Sequence, residues 1–448
     1  MDRSQGFRLQ ADVVVVSTTQ VLSPGQIEIR AGRVVEVTHR IDGRADVQLE
    51  GYALLPGLVN PHTHLEFSDL RGPLPAGSDF TEWVGSVLTQ RRARGGNTEE
   101  LLTGAIAMGL RESRAAGVAV LADIVTPPWT PQLLGQAAGD DLVLQDNQQL
   151  WPEALRACIS TEQLQRMRSA MTPAPALPAV IACVEQLGLT PDRVAAAVRW
   201  REQIDQVATS QWPDCLVSIG LSPHAAYTTP EWLIHETVAR AVEQGRLVAM
   251  HIAESPAERR WIDSGGGPFA ELHARLGVEN FVPSPTLIVD ICRELAQAPR
   301  GLLIHGNYLT AAEMDCIAAY RDRLSVVVCP RTHRHFQHCE YPLAEFSKRG
   351  IRVVFGTDSR SSNPDLNLWQ EARAALAEHS SLRPTQALAA ISDQAAEALG
   401  CAAHYGTLRP GRVAAINVVP LECAAGRVDI EQHLAGWFEN VTHPIPLF

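Results

Sequence analysis

The stretch Leu54-Leu55-Pro56-Gly57-Leu58-Val59-Asn60-Pro61-His62-Thr63-His64-Leu65-Glu66 carries an apolar strand through a Pro-Gly turn and ends it in two histidines at i and i+2. Side chains alternate along a strand, so both imidazoles face the same side. Two imidazoles on one face can chelate a borderline metal ion such as Zn2+. One His-x-His pair is weak evidence, and its value depends on whether other strands end the same way.

Three others do. Met250-His251-Ile252-Ala253-Glu254 ends a second apolar run, Leu303-Ile304-His305-Gly306 a third, and Phe355-Gly356-Thr357-Asp358-Ser359 a fourth. Each residue has a bland alternative. A single strand-end histidine often only packs, Asp358 alone would serve as a helix cap, and Glu254 alone as a surface carboxylate. Their joint placement at strand ends favours a metal-dependent site.

Outward from these motifs, apolar strands alternate with helical patterns. Strands are predicted at Leu54–Glu66, Val118–Ile124, Arg156–Ser160, Leu216–Ser222, Leu247–Ile252, Gly301–His305, Leu324–Cys329 and Ile351–Thr357. Helices such as Pro191–Val207, Pro230–Gln244, Ala311–Ala319 and Pro364–Ala377 intervene, and the Pro-rich stretch 173–178 reads as a loop or insertion. Eight such strands predict an α/β fold, a (β/α)8 barrel of the TIM type over 56–400, with its chemistry at the C-terminal strand ends. Both termini are β-rich, with an Ala31-Gly32 turn and the run Val413–Val419, and predict one small β-sandwich from 1–55 plus 401–448.

Composition narrows the partners. A formal net charge of −12 argues against a nucleic-acid backbone, which needs basic patches. Stretches such as Val13–Val16 are far too short to span a membrane. The first ten residues show no basic stretch followed by an apolar run, and nine cysteines lack any Cys-x-x-Cys pair. A cytoplasmic protein with reduced thiols, acting on a small molecule and able to form a homo-oligomer, is the expectation.

The motifs 55–64, Ser-Pro-His-Ala-Ala-Tyr-Thr at 222–228, His-Ile-Ala-Glu at 251–254, His-Gly at 305–306, Cys-Pro-Arg at 329–331, Gly-Thr-Asp-Ser at 356–359 and Gly-Thr-Leu-Arg-Pro-Gly-Arg at 406–412 resemble those of the amidohydrolase superfamily. Within it, the chain is similar to the branch of cytosine, guanine, S-adenosylhomocysteine and aminofutalosine deaminases and triazine chlorohydrolases. The resemblance implies His62, His64, His251 and Asp358 as metal ligands, Glu254 as proton shuttle, and His305 as the residue orienting water or substrate. Asp358 would also take the water's proton. His224 would contact substrate.

It further implies a metal-bound hydroxide that hydrolyses a C–N bond, deaminating an amino-substituted heterocycle or nucleoside-like compound, with the aminofutalosine type suggested by His-Thr-His-Leu-Glu. Hydrolysis of a cyclic amide or a C–Cl bond is the alternative, and a non-catalytic scaffold the reading from another class. Two-metal relatives bridge their ions with a lysine on the fourth strand. The only lysine here is Lys348, just before the eighth, so one divalent ion is expected, Zn2+ first and Fe2+ second.

Substrate contacts are expected from Trp83, Glu66, Arg331 and Arg360 as well. Trp83 reads equally as a core residue of an amphipathic helix. Arg331 and Arg360 follow strands seven and eight and could hold a substrate anion, unless acids such as Glu66 and Asp365 pair with them. The segment 333–338 is rich in histidine and reads as a polar loop lining the pocket, with a second metal site as the alternative.

Overall fold

The structure is a computed structural model that describes residues 6–39, 45–94, 98–139, 151–172, 177–206, 216–279, 286–421 and 429–447. Five strands come first: β1 (Phe7–Ser17), β2 (Gln20–Leu22), β3 (Gly25–Arg30), β4 (Arg33–Thr38) and β5 (Val47–Pro56). The β3–β4 hairpin turns at Ala31 (φ 49°) and Gly32 (φ 71°). Two successive positive φ values give the turn whose twist matches paired strands.

The next eight strands are β6 (Leu58–Thr63), β7 (Val118–Val125), β8 (Ala179–Gln186), β9 (Leu216–Pro223), β10 (Val248–Ile252), β11 (Gly301–His305), β12 (Leu324–Val328) and β13 (Arg352–Phe355). They pair in sequence order, all parallel. A bridge between Thr63 and Asp358 joins the last to the first. This is the expected eight-stranded barrel. After it come β14 (Ile416–Pro420) and β15 (Ile445–Pro446), and β14 pairs antiparallel with β5. Strands from both ends of the chain thus share one sheet, in the order β15-β14-β5-β1-β3-β4 with β2 beside β1.

The period of two explains how the units join. Along β1, Val13 and Val15 enter the barrel-side core, while Val14 and Val16 enter the core of the terminal β domain. Gly57 lets the chain pass from β5 to β6, because a Cβ there would lie 2.5 Å from the Cβ of Ala119.

One predicted strand is corrected. Arg156–Ser160 is not strand three: Glu153–Ala157 is a short helix, and Ser160 caps the helix Thr161–Met171 in a capping box with Gln163. The third strand is β8, whose apolar run Ala179–Val184 is buried on both faces, as a parallel strand requires. Residues 173–176 of the Pro-rich stretch lie outside the described residues. The expected unit limits also differ locally. Leu155, Met167 and Met171 pack into the core of the terminal β domain. The helix Ile430–Asn440 packs instead on the barrel helices Leu368–Glu378 and Pro384–Ala390. Among the described residues, no helix is long and apolar enough to cross a membrane.

Trp369 is fully buried and stacks on Phe438 with ring centroids 4.1 Å apart. Trp369→Ala is expected to destabilise the barrel by about 3–5 kcal/mol, the range for removing a buried aromatic. Chemical denaturation checks this; an unchanged midpoint would show that the terminal helix adds nothing to the barrel's stability.

Candidate metal centre and active site

Four strand ends converge at one mouth of the barrel. Ligand atoms of His62, His64 and His251 lie within 4.8 Å of one another, and so do those of His62, His305 and Asp358. Asp358 Oδ1 is 3.7 Å from His62 Nε2 and 3.8 Å from His64 Nε2. These separations are too long for hydrogen bonds. They approach the spacing of donors that share an ion, since ligands about 2.1 Å from one tetrahedral centre lie about 3.4 Å apart. Both ring nitrogens of His62 and Nδ1 of His64 are buried without a hydrogen-bond partner. Buried polar atoms in that state are destabilising unless something else satisfies them. Three imidazoles and a carboxylate fit a divalent first-row ion.

The local electrostatics suit this chemistry. Burial, reinforced by neighbouring imidazoles, holds His64 and His251 well below the usual histidine range, in the neutral form that ligates metal. His251 Nδ1 lies 3.2 Å from the carbonyl of His224. A carbonyl only accepts, so Nδ1 carries the proton and Nε2 keeps its lone pair. Burial alone would raise Asp358. The facing ring of His62, with His305 and His64, outweighs it and keeps the carboxylate ionised, well below the usual range.

Three of these strand exits use left-handed backbone at a non-glycine residue: Ala253 (φ 51°), His305 (φ 68°) and Asp358 (φ 54°). Such residues cost about 1–2 kcal/mol each and cluster where structure serves a site.

Glu254 follows the turn at Ala253. Its N–H donates to Glu258 Oε2 at 2.7 Å, and Asn307 donates to its carbonyl at 2.8 Å. Its Oε1 lies 3.3 Å from His305 Nε2. Burial, then the charges of Asp358 and Glu258, raise Glu254 well above the usual carboxylate range. Burial pushes His305 down to about 3.

A cavity opens over this centre. His224 lines it, as does Trp83, whose Nε1 donates to the carbonyl of Ser361 at 3.1 Å. Trp83 packs against the core while lining the cavity. The other expected contacts lie elsewhere. Glu66 sits in the turn Leu65–Phe67 and takes a two-pronged bond from Arg91, at 3.2 and 2.6 Å. Arg331 bonds Asp365 at 2.7 Å and lies 3.6 Å from the buried Glu371. Arg360 bonds Glu112 and the carbonyl of Leu70, both at 2.7 Å. Neither arginine lines the cavity. The pairing expected with Asp365 is present, whereas Glu66 engages Arg91 and Arg94.

Segment 333–338 does not line the cavity either. His335 bonds the carbonyl of Leu74, His338 bonds Tyr308, and no three-ligand group occurs there among the described residues. Lys348 is exposed and pairs with Glu345, far from any bridging position.

Sequence reasoning missed Arg91, Glu185, Tyr227 and Phe269 on the cavity wall. Glu185 is the penultimate residue of β8 and follows the same strand-end rule as the others. It was hidden by the misplaced third strand. Burial raises it to about 7, against the nearby Arg91. Tyr227 and Phe269 stack at 3.8 Å and give the wall an aromatic patch.

A family model described as the amidohydrolase family matches residues 53–445. The chain is 27% identical, over 74% of its length and 69% of the relative's, to an aminodeoxyfutalosine deaminase of a Nitratiruptor species. Its fold is similar to that of the aminofutalosine deaminase of Helicobacter pylori in complex with methylthio-coformycin, with a TM-score of 0.75, 20% identity, and coverage of 99% of this chain and 100% of that one. An atrazine chlorohydrolase of Arthrobacter aurescens complexed with zinc is similar at a TM-score of 0.66 and 19% identity, covering 96% and 90%.

Because Arg331 supports Glu371 and Asp365 and does not face the cavity, Arg331→Met is expected to lower stability by about 3 kcal/mol, as when a buried pair loses one partner. Its effect on kcat/KM should be the same for neutral and anionic substrates. Losses confined to anionic substrates would place the guanidinium at the substrate instead.

Proposed function

As the chain belongs to the amidohydrolase family, we propose that it is a metal-dependent deaminase that replaces the amino group of a nucleoside-like heterocycle with oxygen. The observation that carries this reading is the set of unpartnered buried donors on His62 and His64, beside His251 and Asp358, at the base of an apolar cavity with Glu254 adjacent. The relatives' names point to 6-aminopurine nucleosides modified at the 5′ position. Phe80, Val87, Leu189 and Phe269 suit an apolar arm on such a substrate. The described cysteines are all free, in keeping with a cytoplasmic enzyme.

His62, His64, His251 and Asp358 would hold one divalent ion, with Zn2+ favoured by three imidazoles and a carboxylate. Such an ion would lower the pKa of water from about 15.7 to about 7 and polarise it for attack at neutral pH.

The protein's own groups then manage protons and orientation. Asp358, held ionised, accepts the proton that the attacking water gives up. Glu254, held protonated, donates to the ring nitrogen next to the amine-bearing carbon. Glu254, now ionised, takes the remaining proton of the attacking oxygen and passes it to the leaving amine, and the proton held by Asp358 restores Glu254, so that water and the C–NH2 group become a ring carbonyl and ammonia. His305, neutral and 3.3 Å from Glu254, keeps both the carboxyl and the attacking oxygen in line. The apolar wall excludes bulk water and strengthens each of these interactions.

Ammonia release across aminopurine, aminopyrimidine and adenine-nucleoside substrates tests the reaction and substrate class together; no release from any of them would overturn the proposal. Purified protein is expected to hold close to one equivalent of Zn2+ or Fe2+, and Asp358→Ala to weaken that binding at least tenfold, read by metal analysis after dialysis against a chelator. Two tightly held ions in the natural protein would contradict a single-metal centre. Glu254→Gln should keep the metal and lower kcat by about 10²–10⁴-fold. A variant that lost its metal would identify Glu254 as a ligand.

A further inference from the structure

Glu185 has no part in the chemistry above, yet it lies one residue before the end of β8 at the cavity wall and is only 3% exposed. Its Oε2 is buried and accepts no hydrogen bond. A carboxyl in that state is destabilising, so its environment must supply a partner when the protein works. Glu185 comes within 4.8 Å, by ligand atoms, of His224 and His251. Two occupants could satisfy that grouping: a second cation, or a neutral donor on the substrate.

The surroundings decide between them. The Arg91 guanidinium, locked by two bonds to Glu66, acts on both Glu185 and His224, and its charge opposes a cation there. His251 Nε2 is committed to the metal centre, because its Nδ1 is held at the carbonyl of His224. His224 Nδ1 lies 2.5 Å from Thr228 Oγ1, whose own hydroxyl donates to the carbonyl of Ala225 at 3.2 Å. The threonine oxygen therefore accepts from Nδ1–H, and His224 Nε2 is left as an acceptor. Two acceptors side by side, with a cation beyond them, match neutral donors.

Resting on the deaminase reading, we propose that Glu185, with His224 beside it, is a specificity-determining residue that accepts hydrogen bonds from neutral O–H or N–H donors of the substrate. Such donors occur either as sugar hydroxyls or as an exocyclic amino group on the heterocycle. A site built around a buried acceptor discriminates strongly against a substrate that lacks the donor, since the acceptor is then left unpaired.

The test compares kcat/KM for an adenine nucleoside with its 2′-deoxy and 3′-deoxy analogues, and for a 6-aminopurine nucleoside with and without a 2-amino group, in the natural enzyme, Glu185→Gln and Glu185→Ala. In one series the natural enzyme should prefer the donor-bearing substrate by about 10–100-fold. That preference should fall to within about threefold in Glu185→Ala, with metal content unchanged. A sugar-series response identifies hydroxyls as the donors; a base-series response identifies the amino group. If Glu185→Ala does not fold, Glu185→Gln, which keeps the volume and one carbonyl acceptor, should still reduce the preference about tenfold. Preferences that persist in the variants, or a second tightly bound ion that disappears with Glu185, would overturn the subsite while leaving deamination in place. Failure of the natural enzyme to release ammonia from any nucleoside would overturn the deaminase reading and the subsite with it.

Discussion

The site depends on how the barrel closes. Between β13 and β6 the seam runs directly through the residues proposed to hold the metal. Thr357 and Asp358 both donate backbone N–H bonds to the carbonyl of His62 at 3.1 Å, and Thr63 Oγ1 donates to the carbonyl of Asp358 at 2.8 Å. Asn60 bonds Thr357 through its side chain at 2.8 Å. Gly356 makes the approach possible, because an added Cβ would sit 3.0 Å from the Cβ of His62. Closing the barrel and bringing Asp358 to the histidines are therefore one event. A change that opened the seam would separate Asp358 from the histidines.

Behind the seam stands a buried polar scaffold. Asn363 donates to the carbonyl of Thr357 at 2.8 Å and to Glu371 at 2.6 Å, and Glu371 also accepts from the backbone N–H of Arg331 at 2.9 Å. Ser362 donates to Asp358 Oδ2 at 3.0 Å. Arg331 belongs to this scaffold. Its strand-end position resembles that of a substrate residue, but its charge is spent on internal acids, which is how buried arginines are usually stabilised.

Three environments set three protonation states within one small volume. His64 and His251 stay neutral because they are buried beside other imidazoles. Asp358 is held below the usual carboxylate range because the facing His62, with His305 and His64, outweighs its burial. Glu254 stays protonated because burial and two neighbouring acids oppose its charge. Adjacent carboxyl groups with opposed pKa shifts are what acid–base chemistry at neutral pH requires.

Much of this was legible in the sequence because it follows from periodicity. Alternation put His62 and His64 on one face, and apolar strands ending in His251, His305 and Asp358 marked the catalytic end of a barrel. The β-rich termini foretold a shared domain for the same reason. What the sequence left open depended on distance in space. The segment 156–160 and the true third strand are both short apolar runs, and only packing shows that the first caps a helix on the terminal β domain. Glu185 was missed with that strand. Arg91, Tyr227 and Phe269 reach the cavity from a helix or loop whose position is set by the barrel, and the arginines at 331 and 360 find their acids up to 248 residues away. Local pattern determined the strand ends that carry His62, His251, His305 and Asp358. Tertiary structure alone decided which of them face one another, because charge pairing and burial are properties of neighbours that the chain brings together only by folding.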